Sequence, residues 1–400
     1  MLLLLSTLAL GNGLTTHVTI SEMAIPNLPD GELAYLLGDP DLWFYLQNGT
    51  QFPDGGYAMG EAYSETSHWE PFQDLYLDWI KQTYAGDYGS EEARRHVAYC
   101  FGLSSHGMGD QIFDSLYMER AYAYDAESDW ADVSMDQATD VAIGAATGGQ
   151  QTLEPWVPTE VFVPLMAEAG VVVDAEKLEL GQILTSVAIT FGREAGSRPD
   201  QRELYQAQFP WSYDHILDES VDGSPIWEAT VVARYWQVRW DLLHDRVSEF
   251  EPIMFTFPQD GDYGHPTEAD SVESRVTVVY SRGLVADLVL PDFFAVHDAE
   301  GEEIVLKAPW VFYGNASHVV HLAPEADWPA DTDFVVSIAA GVPFIDGTVS
   351  QAATSFTFST RAPPEEPECA CSSGGTGAGW FGVAAVATGL LRRWSFNPTK

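Results

Sequence analysis

The residues able to do chemistry in this chain of 400 lie mostly ahead of Asp140, as histidines and aspartates at spacings suited to a polynuclear metal site. His17, Asp54 and His68 come first, then a ladder of His106, Asp110 and Asp114, each four residues from the next, and a second ladder of Asp132, Asp136 and Asp140. Imidazole nitrogens and carboxylate oxygens are the ligands that borderline dications such as zinc accept. On a helix, residues four apart lie one turn above each other, so His106, Asp110 and Asp114 would share a slowly drifting face. A chain this acidic also produces such ladders as solvated faces, and Asp132, Asp136 and Asp140 by themselves read that way as readily as ligands. His106 and Asp110 read as a ligand pair, because Gly102, Gly107 and Gly109 leave room for close approach among apolar neighbours. His96, on the opposite helical register, reads as structural, and Cys100 as a buried small hydrophobe.

Positioning these residues requires helices. From about Glu22 to Phe250 apolar residues recur mostly at helical spacing, as in Leu75, Leu77, Trp79 and Ile80 or Val97, Phe101 and Leu103. Ser90, followed by two glutamates, marks a helix start ahead of the segment Arg94 to Tyr117. After Pro252 the pattern changes to short β-rich runs at 275–280, 304–306, 319–322, 334–338 and 355–358, separated by turn formers at sandwich-like spacing. The expected fold is multidomain, an all-α domain followed by an all-β sandwich. The expected boundaries are a signal peptide at 1–11, a helical domain at 12–250, a sandwich at 251–361, a linker at 362–373 and a sorting or membrane-anchor segment at 374–400.

Net charge narrows the partners. The formal charge is -42, with lysines only at Lys81, Lys177, Lys307 and Lys400. Such a surface repels phosphate backbones within about one Debye length, roughly 8 Å at physiological salt, so no nucleic acid is expected. The run Leu2 to Leu10 with Gly11 fits a leader and its cleavage site, although no basic residue precedes it. Near the other end, Cys369 and Cys371, a glycine-rich spacer, the apolar run Trp380 to Leu391 and the pair Arg392 and Arg393 follow an acidic proline-rich stretch. That order resembles myxobacterial-type C-terminal sorting tails, which implies an exported protein at the cell surface or outside it, with membrane attachment through the tail.

Four motifs carry a second resemblance: Gly13 to Val18 around His17, Gln51 to Asp54, Ser64 to Phe72 around His68, and Phe101 to Asp110 around His106. In order and spacing they resemble the zinc-dependent phospholipase C superfamily, and most nearly the catalytic domain of glycosylphosphatidylinositol-specific phospholipase D. The resemblance covers most of residues 13–140 and weakens beyond. It implies a helical fold holding two or three zinc ions, with His17 as the ligand near the mature N-terminus, where Asn12 would offer the terminal amine. It implies Asp54, His68 and His106 at a second metal and Asp110 as a completing or bridging carboxylate. Where relatives carry histidines, this chain has Asp114 and Asp132, with Asp136 at an acidic position. A site of three carboxylates is harder and would take calcium, magnesium or manganese, or stand empty. The residues from 251 onward resemble a bacterial Ig-like domain, through the strands near Val276, Phe334 and Phe356.

The expected activity is therefore hydrolysis of phospholipid or related phosphodiester headgroups through a metal-activated water, C-type or D-type. Asp54 is expected to bind metal and accept a proton, Glu65 to orient His68, and Tyr57 and Trp69 to line the substrate pocket. Two alternatives stand beside it: a single-strand nuclease of the same superfamily, and a non-catalytic surface binding protein whose metals only stabilise the fold.

Overall fold

A computed structural model describes residues 13–125, 131–147, 154–246 and 252–363, with side chains in the second helical stretch described from Ala138 onward. The expected leader at 1–11, Asn12, nearly all of the expected linker at 362–373 and the expected sorting or anchor segment at 374–400 lie outside the described residues, as do the side chains of Asp132 and Asp136. Among the described residues, no helix is long and apolar enough to cross a membrane.

The chain runs through thirteen α-helices among the described residues: α1 (Leu14–Ala24), α2 (Glu32–Leu37), α3 (Pro40–Gln51), α4 (Tyr63–His68), α5 (Glu70–Tyr84), α6 (Glu91–Ile112), α7 (Glu119–Asp125), α8 (Ala131–Thr147), α9 (Thr159–Glu168), α10 (Ala175–Ser197), α11 (Pro199–Gln208), α12 (Pro210–His215) and α13 (Pro225–Leu243). Helix α6 is the hub. Its N-cap Ser90 accepts a hydrogen bond from the Ala93 amide at 3.3 Å, satisfying one orphan donor of the first turn. From His96 to Ile112 every residue is buried, so it is enclosed on all sides by other helices. Gly102 allows α3 to cross it closely, since a Cβ there would overlap the Leu46 carbonyl oxygen. Ser21, Thr50 and Ser105 join α1, α3 and α6 through buried hydroxyl contacts of 2.7 to 3.4 Å. Small polar side chains thus pair with one another where larger apolar ones would hold the helices apart.

Beyond Ile112 the helix continues as a π-helical stretch, Phe113–Met118. The sequence spacing predicts one unbroken α-helix there. Asp114 lies in this stretch, and such turns recur at functional sites.

Eight strands follow: β1 (Ile253–Phe257), β2 (Val276–Tyr280), β3 (Phe294–Asp298), β4 (Glu303–Ile304), β5 (Trp310–Val311), β6 (Val319–Leu322), β7 (Asp333–Ile338) and β8 (Thr354–Ser359). They form two four-stranded sheets, ordered β1-β2-β6-β5 and β4-β3-β7-β8, with every ladder antiparallel. Inward residues of both, among them Val278, Val296, Val320, Val336 and Phe356, pack around the buried Trp328. The protein is an all-α region followed by a β-sandwich.

The two regions share a core. Met254, Phe257, Val279, Phe312 and Val319 of the sandwich belong to the same hydrophobic cluster as Phe101, Trp236 and Trp240 of the helices. A buried polar clasp lies beside it: Glu70 at the start of α5 accepts a hydrogen bond from the Gly283 amide and sits 3.8 Å from Arg239, 3.7 Å from Arg282 and 3.4 Å from His318. Burial and the nearby Asp74 push the Glu70 carboxyl up to about 7, while the two arginines and the amide oppose that rise. Because removing one partner strands the remaining buried charges, Glu70→Ala should cost about 3–5 kcal/mol in urea-induced unfolding, and Glu70→Gln, which still accepts from Gly283, should cost clearly less.

Candidate metal centre

Four segments of the helical region converge on one point. His17 comes from α1, Asp54 from a 3-10 turn (Pro53–Met59) that follows α3, His68 from the last turn of α4, and His106 and Asp110 from successive turns of α6. Their exposures are 2, 7, 7, 0 and 6% respectively, so three imidazoles and two carboxylates are taken out of water together. Asp110 spans the cluster. Its Oδ1 lies 3.0 Å from His17 Nε2, and its Oδ2 lies 3.4 and 3.3 Å from His68 and His106 Nε2. Asp54 Oδ1 stands 3.6 and 3.8 Å from the same two His68 and His106 nitrogens.

The orientation of the rings decides what the cluster can bind. His68 Nδ1 donates to the Ser64 carbonyl at 2.7 Å, and His106 Nδ1 donates to the Thr50 carbonyl at 2.7 Å. A ring whose Nδ1 carries the proton presents a lone pair at Nε2, and this is how ligand histidines are held. Yet the two Nε2 atoms face each other at 3.0 Å. Two bare lone pairs at that separation repel unless a proton or a cation lies between them, and the buried Asp54 Oδ2, with no hydrogen-bond partner, adds another unused donor atom. His17 stacks on His106 with ring centroids 3.8 Å apart, which fixes the third imidazole. The donor set fits a dication.

Two ligand groups can be drawn within 4.8 Å, His17 with Asp54 and His106, and His68 with His106 and Asp110. Both use His106, whose single free nitrogen can serve one ion only. Two ions here would therefore have to be held largely by His17, His68 and the carboxylates of Asp54 and Asp110, with His106 serving one of them.

Metal-free electrostatics follow the same geometry. Burial works against charge on all three rings; at His68 the carboxylates of Asp54 and Asp110 outweigh it and raise the ring to about 9, and at His17 Asp110 has the same effect. His106 is held below its ordinary value by burial and by the neighbouring His17. For Asp110, burial would raise the carboxyl, but His17 and His106 overcome it and keep the group anionic.

The remaining sequence-predicted residues fall into two sets. Asp114 is buried and pushed up to about 7 by burial and by Asp110, but it stands outside both ligand groups. Its Oδ2 accepts the hydroxyl of Tyr313 from the sandwich, and its Oδ1 has no partner. Asp132 and Asp136 lie on α8, and Asp140 of the same ladder serves structure: it accepts from the Thr16 amide at 2.8 Å and hydroxyl at 3.0 Å, capping α1 just ahead of His17 where Gly13 cannot. Glu65 does not orient His68. It instead accepts from Tyr57 Oη at 2.9 Å and Trp69 Nε1 at 2.7 Å, and the Ser64 carbonyl does the orienting. Tyr57 borders the cluster, its ring centroid 5.3 Å from that of His68, while Trp69 meets Tyr313 at 5.5 Å. His96 pairs with the Tyr76 hydroxyl at 2.8 Å, away from the site. Sequence reasoning missed Thr50, Ser64 and Tyr313; the two carbonyls carry no residue signature, and Tyr313 arrives from a distant strand pair.

Comparison with known proteins adds one partial match. A stretch of 121 residues is 33% identical to phosphatidylinositol-glycan-specific phospholipase D of Rattus norvegicus, and 31% identical to those of Bos taurus and Homo sapiens. It covers 28% of this chain and 14% of each relative. Over that stretch the chain is similar to a phospholipase. No family model matches. Solved structures of the surface layer protein SbsC superpose on 83% of this chain and 46% of theirs, or 82% and 78% for its N-terminal part, at 8–11% identity and TM-scores of 0.22–0.23, too low to bear on fold or function.

Gly107 lets the His68 carbonyl lie against α6, where a Cβ would overlap that oxygen. Gly107→Ala should therefore displace His68, lower bound metal measured by plasma emission, and destabilise the fold by about 1–3 kcal/mol. His106→Ala, which removes the nitrogen common to both groups, should lose at least one ion per chain in the same measurement.

Proposed function

We propose that this chain is a metal-dependent phosphodiesterase acting on phospholipid or related phosphodiester headgroups. The observation that carries the reading is the pair of carbonyl-oriented imidazoles facing each other among buried carboxylates, with the partial similarity to a phospholipase alongside it. Zinc suits the imidazole-rich part of the donor set, as two or three ions. Bound there, such ions supply a nucleophile from water near neutral pH and neutralise charge on the phosphoryl oxygens during in-line displacement.

The chain's own residues divide the remaining work. His17, His68 and His106 hold ligand nitrogens in fixed directions, and Asp110 joins them as the shared anion. Asp54, one oxygen toward the imidazoles and the other without a partner, binds and accepts a proton. Tyr57 and Trp69, tied together through Glu65, form a wall of the substrate pocket. A carboxylate-rich third site of Asp114, Asp132 and Asp136, the last two with side chains outside the described residues, belongs to the same proposal and would take calcium or magnesium.

Location and partners extend the proposal. The leader at 1–11 and the tail at 374–400 point to export and a cell-surface position, with membrane attachment through the tail. The charge of -42 argues against nucleic acid as substrate. The sandwich is read as Ig-like, because an order of β1-β2-β6-β5 against β4-β3-β7-β8 corresponds to strands A-B-E-D against C and its neighbours F and G.

The purified full-length chain should contain zinc, release a phosphorylated headgroup or phosphatidic acid from phosphatidylinositol or phosphatidylcholine vesicles, lose that activity on chelation and regain it with added zinc. His68→Ala should reduce turnover more than about 100-fold, beyond what loss of a supporting hydrogen bond gives. Calcium uptake with no hydrolysis would favour a binding protein, and full activity in His68→Ala would defeat the assignment.

A further inference from the structure

We infer that the β-sandwich is a working part of this centre, with Tyr313 as the positioning residue that holds the Asp114 carboxylate beside the imidazole cluster. The inference rests on the metal-centre reading above and extends it to a part of the chain that would otherwise serve only as a neighbouring module.

Three contacts carry it. The segment between β5 and β6 comes back over the end of α6 at a point 199 residues away in sequence, where the Tyr313 hydroxyl donates to Asp114 Oδ2. The Tyr313 ring packs edge-on against Trp69, the residue next to His68. Four residues later, the Ser317 hydroxyl and the His318 amide both donate to Gln111 Oε1, at 3.1 and 2.7 Å, so the loop is pinned to the turn of α6 that follows Asp110. One sandwich loop thus grips two of the four segments that converge on the cluster, the one ending at His68 and the one around Asp110.

The backbone bears the cost of this reach. Tyr313 has φ of 63°, a left-handed conformation that bulky side chains seldom take, and Gly314 and Ala316 follow at 81° and 71°. A non-glycine residue held there costs on the order of 1–3 kcal/mol, and such strain gathers where geometry is under functional constraint. The phenol could have satisfied itself in water, since Tyr313 is 41% exposed overall. Its hydroxyl is spent on a carboxylate.

What that bond does follows from the other oxygen. Asp114 is buried, its Oδ2 is taken by the phenol, and its Oδ1 is buried with no hydrogen-bond partner. A carboxylate with one oxygen fixed by an outer donor and the other left bare is oriented as ligand carboxylates are, and loss of the outer donor typically lowers metal affinity about 10–100-fold. Asp114 lies in the π-helical stretch that follows α6, outside both ligand groups, and the side-chain donor on its carboxylate comes from the sandwich.

The test uses the full-length chain stripped of metal and titrated with zinc, and in parallel with calcium, against a chromophoric chelator. Tyr313→Phe, which removes only the hydroxyl, should weaken the most weakly held ion about 10-fold or more and leave the tighter binding unchanged. Ser317→Ala, with the His318 amide still held by Gln111, loosens the same loop without touching Asp114 and should weaken that ion clearly less than Tyr313→Phe does. Unchanged affinities in Tyr313→Phe would overturn the inference, and so would an equal weakening in Ser317→Ala, which would assign the effect to loop packing. A wild-type chain that takes up no metal would instead sink the centre itself.

Discussion

Two imidazoles whose Nε2 atoms face each other at 3.0 Å set the terms for the rest of this structure. That arrangement is forced from behind, since each ring gives its other proton to a backbone carbonyl, Ser64 for His68 and Thr50 for His106. Backbone carbonyls are fixed by the elements they belong to, so ring direction becomes a property of helix packing and survives changes at the surface. Hence the close crossing of α3 on α6, which brings the Thr50 carbonyl to His106, and the glycine at 107, which lets the end of α4 lie flat.

Charge explains why the cluster calls for a cation. Asp54 and Asp110 are buried with three rings that burial disfavours in the charged form, and the compromise in the metal-free protein is uneven, with His68 and His17 raised and His106 lowered. A dication bound by either ligand group would relieve that compromise. On the scale of the whole molecule, a formal charge of -42 holds anions away.

The sandwich completes the same logic of support from outside. Its hydrophobic residues continue the helical core, Gly283 and His318 meet Glu70 just past His68, and the loop at 312–318 meets Gln111 and Asp114 just past Asp110. The segments that follow His68 and Asp110 are thereby braced by the sandwich. A module that is often a spacer has here become the outer wall of the helical region.

By itself, the sequence determined the order of architectures and the residue types at the cluster. Helical periodicity before Phe250 and short β runs after Pro252 are local patterns, and His17, Asp54, His68, His106 and Asp110 announce themselves by side-chain chemistry and spacing. Only the tertiary structure decided which aspartates of the ladders join. The spacing of Asp114 from Asp110 matches that of Asp110 from His106, yet Asp114 stands outside both ligand groups, and Asp140, an equal rung of its own ladder, caps α1. Glu65 looked like a partner for His68 and instead joins Tyr57 to Trp69, because a carbonyl had already taken the ring proton. Carbonyl acceptors have no residue identity and Tyr313 comes from a strand pair far along the chain, so neither leaves a mark that local reading can find. Spacing can nominate a ligand, but burial and the second hydrogen bond of each ring determine its direction, and both are properties of packing.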